Sequence, residues 1–119
     1  MEITVKTAKA LADSSRMRIV AALMHSRELC VCQLTELLSF AISTVSRHIN
    51  LLQVAGFLKC RKEGRWVYYR LSDEISPLLK DWLEKELLES SRAQSDRRKL
   101  DKILSQDPAQ LCCNLKEKK

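Results

Sequence analysis

Residues that break helices are scarce in this sequence: it has 2 glycines and 2 prolines in 119 residues, and aromatic side chains make up only 5%. A sandwich or barrel of short strands needs more turn residues than this, so an all-β architecture is excluded in favour of a mostly helical one. No run of about 18 apolar residues is present, so no segment is expected to span a membrane. The N-terminus has no charged-then-apolar leader, and a cytoplasmic protein is expected. What remains is 45% hydrophobic and 30% charged, with abundant Leu, Ala, Glu, Lys and Arg, which suits one mostly α domain with no room for a second.

The net charge of +6 is unevenly placed. Residues 1–70 hold 11 Lys and Arg against 5 Asp and Glu, whereas residues 71–119 hold 10 of each. A basic first part joined to a neutral second part suggests that one meets a polyanion while the other holds a partner chain. The five cysteines are Cys30, Cys32, Cys60, Cys112 and Cys113. An odd count without a secretion signal argues against a disulfide framework and for thiol chemistry.

Apolar spacing predicts a first helix over about Val5–Leu11 and a second over about Ser15–His25, with Asp13 and Ser14 as turn and cap. A short third helix follows over about Val31–Leu38. The next begins near Ser43, anchored by Val45, Ile49, Leu52 and Val54 and stopped by Gly56. Its other face carries Ser43, Thr44, Ser46, Arg47, His48 and Asn50, short polar donors rather than the Glu and Lys of an ordinary solvated helix. Phe57–Lys62 and Trp66–Leu71 then suit two strands, with Glu63-Gly64-Arg65 as a hairpin turn bearing Arg61, Lys62 and Arg65.

Pro77 is well placed to open a long helix. Leu78, Leu79, Trp82 and Leu83 on it form more apolar surface than a domain this small can cover, so this helix is expected to form a homodimer interface with help from the first. The run Arg97-Arg98-Lys99 reads as a solvated face. Residues 1–105 are expected to form the folded domain, and residues 106–119 a flexible cysteine-containing tail.

Short helix, turn, polar-faced helix and basic hairpin make up a winged helix-turn-helix. Its second helix fits the major groove, and its hairpin reaches phosphates or the minor groove. The sequence resembles the ArsR (arsenic-repressor) family of dimeric winged-helix regulators. The resemblance runs over about residues 8–71, through Lys9-Ala10-Leu11-Ala12-Asp13, Arg16-Met17-Arg18-Ile19, Glu28-Leu29-Cys30-Val31-Cys32-Gln33-Leu34, Ser43-Thr44-Val45-Ser46-Arg47-His48, Leu51-Leu52, Ala55-Gly56 and Glu63-Gly64-Arg65-Trp66-Val67-Tyr68-Tyr69-Arg70. It implies a repressor that binds operator DNA, an inverted repeat for a dimer, without a cofactor and leaves it when a thiophilic ion binds. Where the family usually has Gly in the turn and Ser at the start of the recognition helix, this chain has Ser39 and Ala41. The recognition helix is then expected to begin a turn later at Ser43, or to be frayed at its start.

The family's arsenic-responsive branch is marked by the Cys-Val-Cys motif, here Cys30 and Cys32, which implies arsenite or antimonite as inducer. A further cysteine often found three residues on is Thr35 here. A third sulfur could come from Cys60, from Cys112 or Cys113 of either subunit, or from an exogenous thiol; the tail pair is favoured because a flexible tail can reach. Soft thiolates select thiophilic ions, and a helix N-terminus favours the thiolate. Within a regular helix, residues two apart point about 200° apart, so closing both cysteines on one ion requires the helix start to unwind.

The His, Asp and Glu sites of the family's zinc, nickel and cobalt sensors are not expected, since no His lies between Ser76 and Lys119. A redox- or persulfide-responsive repressor on the same fold is the nearer alternative. An enzyme using Cys30 and His25 lacks any supporting motif. A protein-interaction module that does not bind DNA would leave the polar helix face and basic hairpin unexplained.

Overall fold

The computed structural model describes the backbone of residues 1–117 and, Ile3 apart, the side chains of residues 1–112. Seven helices and a small sheet appear among them: α1 Glu2–Leu11, α2 Ser14–His25, β1 Leu29–Cys30, α3 Val31–Leu38, α4 Ile42–Val54, β2 Leu58–Glu63, β3 Trp66–Leu71, α5 Pro77–Leu88, α6 Ser91–Leu104 and α7 Pro108–Glu117. The expected mostly α fold with a winged helix-turn-helix is borne out. No described helix is long and apolar enough to cross a membrane.

Local chemistry fixes the element ends. Asp13 caps α2, its carboxylate accepting from the backbone N–H groups of Ser15 at 2.8 Å and Arg16 at 3.2 Å. Burial by itself would raise the Asp13 pKa, but those backbone hydrogen bonds and the nearby charge of Arg16 outweigh it and hold the carboxyl below its ordinary value. The helix α3 ends at Ser39 in the left-handed region, at φ 59°, a conformation that Gly adopts most easily. Helix α4 begins at Ile42 behind Ala41, which makes no side-chain cap. The expected start at Ser43 therefore moves forward by one residue.

The hairpin closes through the two residues Gly64 and Arg65, between the paired Glu63 and Trp66. Gly64 has φ +61°, as such a tight turn requires. The sheet has one strand more than the sequence suggests. Two-residue β1 adds to it in the order β1-β3-β2, all antiparallel, with Leu29 opposite Tyr69 and Cys30 opposite Tyr68. Leu29, Leu34, Leu37, Val45, Ile49 and Leu52 form the core between the helix-turn-helix and the sheet.

Two expectations change in the C-terminal part. Residues 106–119 were expected to be a tail, yet Pro108–Glu117 is helical. Asp107 Oδ1 accepts from Ala109 N at 3.1 Å at the start of that helix, and Leu111 is buried against the core. Lys99, expected on a solvated face, donates from Nζ to Leu37 O at 3.0 Å and Ser39 Oγ at 2.8 Å. It thereby satisfies acceptors at the end of α3, beside the strained turn.

Candidate nucleic-acid interface and cysteine site

Along α4, Ser43, Ser46, Arg47 and Asn50 are exposed and Thr44 is half-buried. These five form the outward polar face. His48 does not belong to it. Val45, His48, Ile49 and Leu52 share the inward stripe, and His48 is 9% exposed. Arg16 Nη1 lies 3.2 Å from His48 Nδ1, and because a guanidinium can only donate, the ring nitrogen accepts. The same guanidinium donates to the carbonyls of Ala10 at 2.7 Å and Lys9 at 3.2 Å. Arg16 thus ties the end of α1 to the inner face of α4 through His48, whose ring is turned inward.

On the wing, Lys62 and Arg65 are exposed and project from the hairpin end. Arg61, grouped with them from the sequence, is already engaged. Its guanidinium donates to Glu28 at 2.8 and 3.1 Å and to Glu63 at 2.7 Å, and lies 4.8 Å from the Tyr68 ring centroid. The hydrogen bonds from Arg61 pull the Glu28 pKa below the ordinary carboxylate range. Arg61 therefore fastens the wing to the segment before β1. A second brace was not legible in the sequence: Arg18 pairs with Asp96 of α6 at 2.8 and 3.0 Å and donates to Leu37 O at 3.2 Å.

The cysteines sit where these parts meet. Cys30 ends β1 and is the N-cap of α3, in extended conformation at φ −88° and ψ 167°, and Gln33 Oε1 accepts from its N–H at 2.9 Å. Because Cys30 precedes the helix, the 200° argument for two helical cysteines does not apply. What an ion drawing in Cys30 would disturb is the cap of α3 and the pairing with Tyr68.

Cys32 and Cys112 are joined by a disulfide, with Cα atoms 5.4 Å apart. No such bond was expected from the sequence; the packing of α7 on α3 creates it. Cys30 is a buried free thiol, and Cys60 is exposed on β2. The Cys113 side chain lies outside the described residues. Among the described residues no three His, Cys, Asp or Glu side chains form a metal-binding group. A cavity of about 390 Å³ adjoins the three described motif and tail cysteines, with Trp66, Val67 and Tyr69 in its wall. Burial, with the Cys60 charge second, raises the Tyr69 pKa.

The expected dimer residues divide. Leu78 is 82% and Trp82 53% exposed, while Leu83 is 1% exposed within the chain's own core, and Leu79 is partly buried against that core. Leu83 is therefore corrected from interface to core: it faces the chain's own interior while Leu78 and Trp82 face out.

Residues 13–59 match the family described as "Bacterial regulatory protein, arsR family". The chain is 38% identical over 95 residues to the arsenical resistance operon repressor of Escherichia coli K12, covering 80% of this chain and 78% of that protein. The chain belongs to the ArsR family. ArsR-family proteins of this kind are DNA-binding transcriptional regulators and not enzymes.

Arsenic resistance transcriptional regulator ArsR1 of Pseudomonas putida KT2440 is 45% identical over 67 residues, 56% of this chain and about half of that protein (52%). A cadmium resistance regulatory protein CadC homolog of Staphylococcus aureus is 44% identical over 69 residues, covering 58% and 57%. Among solved structures, the homodimeric winged helix-turn-helix domain of Mb0332 from Mycobacterium bovis superposes with a TM-score of 0.63 at 25% identity, over 71% of this chain and 77% of that one. The segment matching the ArsR family profile contains α2, α3, α4, Cys30 and Cys32 but ends before the wing turn. The partner of Cys32 on α7 thus lies beyond it.

Proposed function

We propose that this protein is a cytoplasmic homodimeric repressor that binds inverted-repeat operator DNA and releases it when trivalent arsenic or antimony binds cysteine thiolates. One observation carries the reading. Cys30 and Cys32 straddle the joint between the wing sheet and α3, whose partner α4 bears Ser43, Thr44, Ser46, Arg47 and Asn50. Drawing Cys30 and Cys32 onto one ion costs the α3 cap and the β1–β3 pairing, so ligand and DNA compete for one arrangement of the joint, reciprocally in affinity. Cys112, whose sulfur meets Cys32, is the third-sulfur candidate on the described residues; Cys113 is the other. The arsenical resistance repressors among the relatives support the metalloid, and the exposed Leu78 and Trp82, with the homodimeric Mb0332 domain, support the dimer.

The cadmium regulator among the relatives makes a soft divalent ion the comparison to run. Operator binding measured against arsenite, antimonite and cadmium tests the reading. Release by the trivalent ions at lower concentration than by cadmium is expected; release by cadmium alone refutes the inducer assignment.

The Cys32–Cys112 bond favours a second reading, a thiol-redox repressor. A low-molecular-weight disulfide would take two electrons from the two thiols and leave as two thiols. Operator affinity that differs between the reduced and oxidised protein, and loses that difference in Cys112→Ser, is its signature.

A further inference from the structure

We propose that the cleft between α2, the end of α5 and the start of α6 binds a small amphiphilic carboxylate, and that this ligand acts on the helix-turn-helix through the turn at Phe40. The site is separate from the cysteines and goes beyond the thiol-sensing reading above.

The cleft holds about 440 Å³, within the range of about 300–1,000 Å³ usual for small-molecule pockets. One side of its wall is apolar, built from Met17, Ala21, Leu87 and Phe40. Phe40 lies in the turn between α3 and α4 and is 48% exposed, so the chain's own core leaves half of this aromatic ring uncovered. The other side carries unused donors. Ser15 is only 9% exposed, yet its hydroxyl meets no partner among the described residues. That oxygen is not sealed inside protein either, so it opens onto the cleft that Ser15 lines. The Arg18 side chain is 14% exposed. Its Nε and Nη2 are engaged by Asp96 and Leu37 O, while Nη1 donates to nothing among the described residues. Arg92, also in the wall, has no ion-pair partner among them.

Charge sets the ligand class. Arg18 and Asp96 neutralise one another, which leaves Arg92 as the net positive charge of the wall. The first turns of α2, with Ser14 and Ser15, and of α6, with Arg92 and Ala93, both open onto the cleft and add the positive ends of two helices. A monoanion matches this field, whereas a phosphate dianion would set its second charge beside Asp96. Carboxylate oxygens can accept from Ser15 Oγ, Arg18 Nη1 and Arg92, with the hydrocarbon body against Met17, Leu87 and Phe40.

The same groups lead to the recognition helix. Arg18 Nη2 donates to Leu37 O at 3.2 Å, beside the contacts of Lys99 with Leu37 O and Ser39 Oγ, and Phe40 is the next residue of that turn. A carboxylate drawing on Arg18 competes with Leu37 O and Asp96 while its body displaces Phe40. The turn that sets α4 then shifts, and operator affinity falls, with reciprocal loss of ligand affinity on DNA.

The test is isothermal titration calorimetry of the full-length protein with 4-phenylbutyrate, 4-phenyl-1-butanol and 4-phenylbutyl phosphate, with circular dichroism as fold control. The carboxylate is expected to bind about tenfold or more tightly than the alcohol. Arg92→Gln, at an exposed position, should bring that ratio close to one, and Arg92→Lys should restore most of it. Ser15→Ala, which removes a hydroxyl that supports nothing in the protein, should weaken the carboxylate about three- to tenfold. Phe40→Ala should weaken acid and alcohol alike. Equal binding of acid and alcohol, or an unaltered ratio in Arg92→Gln, overturns the site, and tighter binding of the phosphate overturns the carboxylate assignment. Anisotropy of labelled upstream DNA reads the coupling: 4-phenylbutyrate should weaken DNA binding by the wild type and not by Arg92→Gln, and an unchanged DNA affinity in the saturated wild type overturns it. Calorimetry involves no DNA, so its failure overturns the site whatever the protein does on its operator, while failure to bind the upstream DNA at all overturns the operator reading and the coupling with it.

Discussion

His48 stands in the recognition helix with its ring turned toward Arg16 instead of toward DNA. Removing it leaves the Arg16 guanidinium short of an acceptor in a partly buried place, a loss of about 1–3 kcal/mol. The helix is then less well placed on every sequence. His48→Ala is accordingly expected to weaken binding by a similar factor across operator variants; relaxed preference at one base pair, measured by competition, would restore it as a base reader. Asp13 makes a different prediction. Its folded-state pKa lies below the ordinary 3.8, so its stabilisation is present above that value and is lost as pH falls through the lower folded pKa. Asp13→Ala should cost about 1 kcal/mol at neutral pH, and the gap in urea midpoint between it and the wild type should shrink at about pH 3.

The helix α5 shows how one element serves two surfaces. Leu83→Ala opens a hole in the chain's own core and should cost about 2–5 kcal/mol of folding stability. Leu78→Ala with Trp82→Ala removes exposed apolar surface and should instead shift sedimentation from dimer to monomer with folding retained; a dimer of unchanged strength would move the interface elsewhere. The sequence made α5 legible as a stripe opened by Pro77, but its period could not divide Leu78 and Trp82 from Leu83, because that division depends on what packs beneath. The recognition helix and hairpin were legible for similar local reasons, a polar face in one and a two-residue turn at Gly64 in the other. Two-residue β1 is too short to carry a period. The α7 helix, the engagement of Arg61 and the Arg18–Asp96 and Lys99 braces all rest on partners far away in sequence, and no spacing within a window reports them. Cys32 and Cys112, 80 residues apart, are the extreme case. The Cys-Val-Cys motif marked the site, while only the packing of α7 on α3 named the neighbour.

At the scale of the molecule, the exposed basic side chains proposed to meet DNA are divided between a helix face, with Arg47, and a hairpin tip, with Lys62 and Arg65. The proposed roles separate on that division. Arg47→Ala should lose about 1–3 kcal/mol on the preferred operator and relax specificity, whereas Arg65→Ala should weaken all sequences and lower the salt slope by about 1. Identical losses on every DNA would refute it. Between helix face and hairpin lies the cysteine joint. To carry operator occupancy from 99:1 to 1:99, the ligand must favour the released state by about 5.5 kcal/mol, and in the proposed mechanism that preference comes through sulfur at this joint. The most direct measurement is operator release against arsenite for the reduced wild type and the Cys30→Ser, Cys32→Ser double variant. The wild type is expected to leave the DNA and the variant to bind it equally well and stay; release of both at the same arsenite concentration would contradict the mechanism.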